Sequence, residues 1–146
     1  MKRILIGAVA ALASVISIGD RVIAQVVPDN IVGTTVNLNG TAFEINNRIR
    51  SVNNLFHSFS QFSVPTNGSA IFNNMTDVQN IFSRVTGSQL SNIDGILKTQ
   101  GGANLFLMNP NGIVFGPNAR LELGGSFLGT MLLILKGEAL QLPHKT

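Results

Sequence analysis

The chain of 146 residues contains no cysteine, tryptophan or tyrosine, so phenylalanine is its only aromatic residue. Without cysteine it can form neither a disulfide framework nor a thiolate metal site. This absence is compatible with export, because exported proteins need not use disulfides. The length fits one domain, since domains commonly have about 100–150 residues.

The chain also carries little net charge once its N-terminus is set aside. Ten Lys and Arg residues against seven Asp and Glu give a formal net charge of +3. Three of these basic residues lie in the first 24 positions together with one acid, which leaves a net charge of +1 for the remainder. A nearly neutral chain with scattered Arg lacks the basic stripe that nucleic-acid binding requires. We therefore expect no nucleic-acid partner.

The N-terminus has the three-part pattern of a secretory signal peptide. A positive segment at residues 1–3 precedes an apolar run at residues 4–18, and the small residue Ala24 follows. The pattern predicts a signal peptide over residues 1–24, handled by the Sec machinery and cleaved between Ala24 and Gln25. The alternative is a membrane anchor, but the run is shorter than the roughly 20 apolar residues that a spanning helix needs. We expect the mature protein to work outside the cytoplasm.

The remaining sequence alternates short apolar pieces with Gly and Asn corners, which indicates an all-β architecture. A sandwich and a solenoid both fit this pattern. Gly and Asn tolerate left-handed backbone at the corners of stacked coils, and identical Asn side chains can form ladders between coils. These features favour the solenoid, although no strict period is visible.

A β-hairpin is predicted over residues 34–45. Asn39-Gly40 supplies the two positive-φ positions of a type I′ turn. With this register Val36 lies opposite Phe43, and the hairpin gains one partly apolar face.

One later segment has the spacing of a helix. Apolar residues recur from Ile71 to Val85 at steps of four and three. Strand-forming residues at 81–85 and the poor helix formers Asn73 and Asn74 point the other way. We predict a strand, a turn or short helical turn, and a second strand.

The most informative local motif is the run Asn109, Pro110, Asn111, Gly112 and Ile113. Asn at the first position, Pro at the second and Gly at the fourth fit a type I turn. The apolar residues on either side are predicted to be two strands that this turn separates. Taken alone, the motif is a structural turn.

Four blocks resemble, in order, the N-terminal secretion domain of filamentous haemagglutinins and related adhesins, especially those of cyanobacteria. The blocks are NNLFHSFSQFSVP (53–65), SAIFNN (69–74), NIFSRVTGSQLSNIDGILKTQGGANLFLMNPNGIVFG (80–116) and ARLELGGSF (119–127). The NPNGI signature of that family stands at residues 109–113. Because the four blocks keep their order over most of the mature chain, the resemblance is far more specific than the signature alone.

The resemblance implies a right-handed parallel β-helix, an all-β solenoid with capping strands at its N-terminal end. In this two-partner-secretion family the domain is the export signal of a longer protein. A dedicated outer-membrane β-barrel transporter recognises it through periplasmic domains. The exported proteins are mostly adhesins, haemagglutinins or cytolysins, which pass through the periplasm and are secreted or held at the cell surface. The signature turn is implied to support secretion competence, partly by supporting the fold.

The chain departs from the family pattern after residue 130. The family continues with polar strand residues and many more coils, whereas this sequence has an apolar run and then ends. We therefore expect a signal peptide at 1–24, a partial secretion domain at 25–130 and a divergent tail at 131–146. The β-helix is then incomplete at its C-terminal end, in a truncated or frameshifted product.

An enzyme acting on polysaccharides is a rival interpretation of a parallel β-helix. Such a site needs clustered carboxylates for acid, base or calcium chemistry. Each acid of this region is alone in sequence, although a solenoid can still stack two of them: Asp29, Glu44, Asp77, Asp94 and Glu122. Asp94 is interpreted as a corner residue. We expect no enzyme, no catalytic, cofactor-binding or metal-binding residues, and no cofactor.

The remaining polar candidates are single residues. His57 has no second His nearby and is predicted to lie exposed on a strand. Arg84 and Arg120 are predicted to be solvated, and the alternative is that they line an exposed edge or bind an acidic partner. Two other functions stay open at this point. One is a free-standing extracellular module that binds a carbohydrate or cell-surface target, and the other is a vestigial product.

Overall fold

The computed structural model describes residues 25–131. The predicted signal peptide at 1–24 and all but the first residue of the predicted tail lie outside the described residues. Between residues 25 and 131 the chain forms β-strands and no helix, so no helix of this part is long and apolar enough to cross a membrane.

Three parallel sheets form the sides of the molecule. The first contains β5 (Asn54–Phe62), β7 (Asn80–Val85), β10 (Asn104–Met108) and β13 (Phe127–Thr130). The second contains β3 (Ala42–Asn46), β6 (Ser69–Phe72), β9 (Ile96–Lys98) and β12 (Arg120–Glu122). The third pairs β8 (Ser91–Ile93) with β11 (Ile113–Phe115), and a parallel bridge from Val64 to Ile93 extends it.

The chain visits the first, third and second sheets in turn and then starts again one strand further along each sheet. This path is a β-solenoid of about four turns with parallel sheets, which confirms the predicted fold class and excludes the sandwich. We number the coils by their strands in the first sheet, so that β5, β7, β10 and β13 begin coils 1 to 4.

Extra strands cap the N-terminal end, as the family resemblance implied. Two short strands, β1 (Val26–Pro28) and β4 (Ile49–Ser51), pair antiparallel with the outer edge of β5. A longer one, β2 (Thr35–Asn39), pairs antiparallel with β3. These strands close edges that would otherwise present unpaired backbone groups.

The hairpin between β2 and β3 is present, but its predicted turn is wrong. Asn39 pairs with Ala42, so the loop is Gly40-Thr41 and Val36 lies opposite Ile45. Only Gly40 takes a positive φ, of 63°, which fits a type II′ turn with Gly first rather than type I′. The register is shifted by two residues, so each side chain keeps its predicted face.

The core consists of columns of inward-facing side chains from successive coils. Leu55, Ile81 and Leu105 pair in register across the first sheet, and all three are buried. Burial alternates along β3, β6 and β10, because successive strand residues point to opposite faces. Each coil therefore contributes one layer to a continuous apolar interior.

An asparagine ladder runs along the outer face of the first sheet. Asn80 Nδ2 donates to Asn54 Oδ1 at 2.9 Å, and Asn104 Nδ2 donates to Asn80 Oδ1 at 3.0 Å. The backbone N–H of Ser126 continues the column, donating to Asn104 Oδ1 at 2.7 Å. The structure thus contains an asparagine ladder of the kind that stacked coils allow, with steps of 26, 24 and 22 residues.

A phenylalanine stack lies beside this ladder. The ring centroids of Phe56 and Phe82 are 5.3 Å apart, and those of Phe82 and Phe106 are 4.7 Å apart, with nearly parallel planes. Stacked rings of this kind stabilise neighbouring strands beyond the area they bury.

The segment with helical spacing forms a strand, a turn and a second strand, as predicted. Ile71 lies in β6 with partial exposure, and Met75 is exposed in the turn. Val78 is buried in the loop, and Val85 is buried at the end of β7. The apolar residues therefore do not share one face.

Candidate functional site

The signature at residues 109–113 forms a tight turn between β10 and β11. The Gly112 N–H donates to the Asn109 carbonyl at 3.1 Å, which closes the turn. Gly112 has a φ of 117°, whereas neither Pro110 nor Asn111 has a positive φ. This pattern confirms the predicted type I turn with Gly at its last position.

The side chain of Asn109 is fully buried, at 0% exposure, and every polar position of its amide is satisfied. Its Nδ2 donates to the Gln89 carbonyl at 3.0 Å and to Ser91 Oγ at 2.9 Å. Its Oδ1 accepts from the backbone N–H of Asn111 at 2.9 Å and from Asn111 Nδ2 at 3.0 Å. A buried amide with four partners fixes the turn in one geometry.

The same turn is bonded to the coils on both sides. Asn111 Nδ2 donates to the Gly87 carbonyl at 2.7 Å, and the Ser91 N–H donates to the Gly112 carbonyl at 2.9 Å. In the other direction the Asn109 N–H donates to the Thr130 carbonyl at 2.9 Å. The turn therefore joins coils 2, 3 and 4.

The turn contains no ionisable side chain. Ile113 is partly buried against the core, and Pro110 is half-buried. The five residues can position backbone and join coils, but they supply no acid, base or nucleophile.

Of the two residues at the predicted cleavage site, Ala24 lies outside the described residues. Gln25 lies within them, and its carbonyl accepts a hydrogen bond from the Ser63 N–H at 2.8 Å. The cap strand β1 begins at the next residue, Val26, which is buried.

The prediction that His57 is exposed on a strand surface is wrong. Its residue exposure is 4%, and its ring contacts those of Phe59 and Phe72. Burial, with a smaller effect of the Arg48 charge, lowers the pKa of His57 to about 4. At neutral pH the imidazole is therefore uncharged inside the core.

In residues 25–131 no three His, Asp or Glu side chains come close enough to hold a metal ion. Asp94 lies at a corner, as predicted, and accepts hydrogen bonds from the Thr66 hydroxyl and from Asn118. Asp77 forms a two-point ion pair with Arg50, with the closer oxygen at 2.6 Å.

Asp29 has a role that the sequence did not reveal. Its carboxylate accepts hydrogen bonds from Ser58 Oγ at 2.5 Å and Thr86 Oγ1 at 2.8 Å, and Arg84 Nε donates to the same Ser58 Oγ. Burial alone would raise the pKa of Asp29, but hydrogen bonds from Ser58, the Ile31 N–H and Thr86, with the Arg84 charge, lower it. Asp29 ties the cap to coils 1 and 2. Its partners are 29 and 57 residues away, so no local motif marks it.

Comparison with known proteins agrees with this fold. A family model described as the TPS secretion domain matches residues 24–142. The crystal structure of the HMW1 secretion domain from Haemophilus influenzae is 32% identical, with a TM-score of 0.56. The match covers 77% of this chain and 27% of that one, so this chain spans about a quarter of its length. No curated protein matches. Because the family model covers most of the sequence, the chain belongs to the TPS (two-partner-secretion) secretion domain family.

Proposed function

We propose that this chain carries the export signal of a two-partner-secretion exoprotein of the adhesin and haemagglutinin class. Proteins of this family cross the outer membrane by way of the periplasm, and an outer-membrane transporter recognises their secretion domain. The observation that carries the proposal is the family match over residues 24–142 on a capped solenoid. The partner is then a β-barrel transporter with periplasmic recognition domains.

The N-terminal segment has its own part in this pathway. Residues 1–24 would direct the chain to the Sec machinery, and cleavage after Ala24 would release the secretion domain into the periplasm. The product would then be secreted or remain at the cell surface.

The turn at residues 109–113 acts through the fold. Its side chains and backbone join three successive coils, so the stacking of coils after the first two depends on it. In this proposal the turn supports secretion because a chain that folds coil by coil outside the cell is drawn outward as each new coil forms.

The direct test is transport by the partner. The full chain is produced with and without the two-partner transporter of the same genome, and the amount in the medium is measured. Binding to the purified periplasmic domains of that transporter is measured in parallel. We expect binding and transporter-dependent release. Equal release without the transporter would contradict the proposal and favour a free-standing extracellular module. Absence of both binding and release would favour a vestigial product.

A matched pair of variants tests the turn within the same assay. Asn109→Ala removes the four hydrogen bonds of the buried amide, whereas Asn92→Ala removes an exposed amide that has no side-chain bond in the described residues. We expect Asn109→Ala to lose most of the released protein and Asn92→Ala to match the parent. Equal release of both variants would contradict the role given to the turn.

A further inference from the structure

The corners between the third and second sheets differ in length. In coil 1 four residues, 65–68, separate the bridge residue Val64 from β6, and in coil 3 four residues, 116–119, separate β11 from β12. In coil 2 only Asp94 and Gly95 lie between β8 and β9. The strands on both sides stay in register, so the shorter middle corner is recessed between two protruding ones.

This recess, which we call the corner notch, is a cavity of about 450 Å³. Its lining includes Gly68 and Gly95, with Asn67 of coil 1 on one side and Asn118 of coil 3 on the other. A Cβ at Gly95 would overlap the Gly68 carbonyl, so the two corners touch through bare backbone. Arg120 lines the side that faces the second sheet.

The notch is held in shape by Asp94. Its carboxylate accepts from the Thr66 hydroxyl in coil 1, and in coil 3 it accepts from the Asn118 backbone N–H at 2.9 Å and from Asn118 Nδ2 at 3.2 Å. These hydrogen bonds lower the pKa of Asp94, that from Thr66 most. The corners of coils 1 and 3 are therefore tied together before any ligand arrives, which reduces the ordering that binding would require.

The lining offers unused hydrogen-bond donors. Within residues 25–131 the side chains of Arg120 and Asn67 have no hydrogen-bond partner. Arg120 also forms no ion pair there, since the salt bridge of these residues joins Arg50 to Asp77. A guanidinium binds a carboxylate through two parallel hydrogen bonds. An amide both donates and accepts, as sugar hydroxyls require. Ile96 and Pro117 add apolar surface at the same place.

We propose that the corner notch binds one uronate unit of an acidic polysaccharide. Arg120 holds the carboxylate, the Asn67 amide bonds to hydroxyls, and Ile96 and Pro117 pack against the C–H face of the sugar ring. The volume lies within the range of about 300–1,000 Å³ that small-molecule sites occupy. A uronate uses the charged, polar and apolar parts of the lining together, whereas a carboxylate on a flexible acidic peptide uses Arg120 alone.

The test is a titration of the purified chain with oligogalacturonate, in which binding is measured by calorimetry and by changes in NMR chemical shift. Neutral malto-oligosaccharide and poly-glutamate are titrated in the same way. We expect oligogalacturonate to bind most tightly and Arg120→Gln to weaken it about tenfold, the loss of one charge-assisted pair. Asn67→Gly keeps the left-handed backbone at φ 63° and removes the amide, so it should weaken binding severalfold.

Lys98→Gln is the matched control, because Lys98 is an exposed cation of the second sheet outside the notch. It should leave the affinity within about twofold, as an exposed charge contributes little. Equal losses for Lys98→Gln and Arg120→Gln would overturn the site, since the attraction would then be general. Poly-glutamate or malto-oligosaccharide binding as tightly as oligogalacturonate would overturn the uronate assignment, and absence of oligogalacturonate binding at millimolar concentration would overturn the proposal. None of these outcomes bears on transport by the outer-membrane partner.

Discussion

His57 Nδ1 lies 3.2 Å from Thr34 Oγ1 inside the capped end of the solenoid. Thr34 Oγ1 also accepts a hydrogen bond from the Ser58 N–H, so its own hydrogen is available to the unprotonated Nδ1 of a neutral imidazole. This buried pair connects the cap to coil 1, and it makes the cap sensitive to acid.

Stability should therefore fall as the pH falls from about 6.5 to about 4. The pKa of His57 drops from 6.5 to about 4 in the folded state, so the unfolded chain takes up a proton first. The contribution of the neutral His57 to the free energy of unfolding is fully present above pH 6.5 and is lost progressively as the pH falls. Urea unfolding at pH 7 and pH 4.5 should differ by about 2–3 kcal/mol from this group. His57→Gln does not titrate, and an unchanged pH slope in this variant would contradict the prediction.

The asparagine ladder gives a second prediction. Asn80→Ala removes both side-chain hydrogen bonds of the middle rung and leaves Asn54 and Asn104 without that partner. The free energy of unfolding should fall by about 1–3 kcal/mol. Asn92→Ala, at an exposed strand position, should change it by less than about 0.5 kcal/mol. Similar values for the two variants in urea unfolding would show that the ladder adds nothing to stability.

The signature turn should be one of the most sensitive positions. Asn109→Ala deletes four hydrogen bonds and removes the donor to the hydroxyl of Ser91, a fully buried residue. We expect a loss of about 2–4 kcal/mol, measured by thermal or urea unfolding. Asn111→Ala, at an exposed turn position, should cost less. The reverse order would be inconsistent with a buried anchor at Asn109.

Two buried serines of the first sheet should respond in opposite ways. Ser83 Oγ is buried with no hydrogen-bond partner in the described residues, so Ser83→Ala should be neutral or stabilising by up to about 1 kcal/mol. Ser58 Oγ bonds to Asp29 and Arg84, so Ser58→Ala should cost about 1–2 kcal/mol. A destabilising Ser83→Ala would mean that its hydroxyl has a partner in solution.

Substitution of glycines tests how closely a corner packs against the preceding coil. A Cβ at Gly87 would overlap the Ser60 carbonyl of the preceding coil, whereas a Cβ at Gly102 would meet nothing within 4 Å. Gly87→Ala should destabilise the protein severely or prevent folding, because the obstacle is backbone. Gly102→Ala should be tolerated, with a change within about 1 kcal/mol. Circular dichroism melts of both variants would settle the comparison, and a cooperative wild-type-like melt of Gly87→Ala would refute it.

Local chemistry was sufficient to predict the turn at residues 109–113, since Pro110 and Gly112 fix its type. The predicted hairpin register is wrong because two loops, Asn39-Gly40 and Gly40-Thr41, both contain the glycine that a tight turn needs. The pairing of β2 with β3 selects the second loop. The sequence predicts an exposed His57 because a single sequence does not show that Phe72 packs against its ring. Tertiary burial overrode the residue's usual preference for partial exposure.

The hidden period of the solenoid has a physical cause. Its three ladder steps shorten from 26 to 24 to 22 residues, because corners vary in length while strands stay in register. A fixed repeat therefore never appears in the sequence. The corner notch could not be predicted either, since its recess exists only when residues 65–68, 94–95 and 116–119 are placed side by side.

The difference in corner length between coils, with the strands kept in register, also has a practical use. Residues inserted between Pro117 and Asn118 would lie outside the paired strands β11 and β12, at the cost of the Asn118 hydrogen bonds that shape the corner notch. A peptide tag or a cysteine for a fluorophore placed between these two residues would report on the domain during transport without entering its layers. The unequal corners thus supply an attachment point at which the proposed transport across the outer membrane would be followed one molecule at a time.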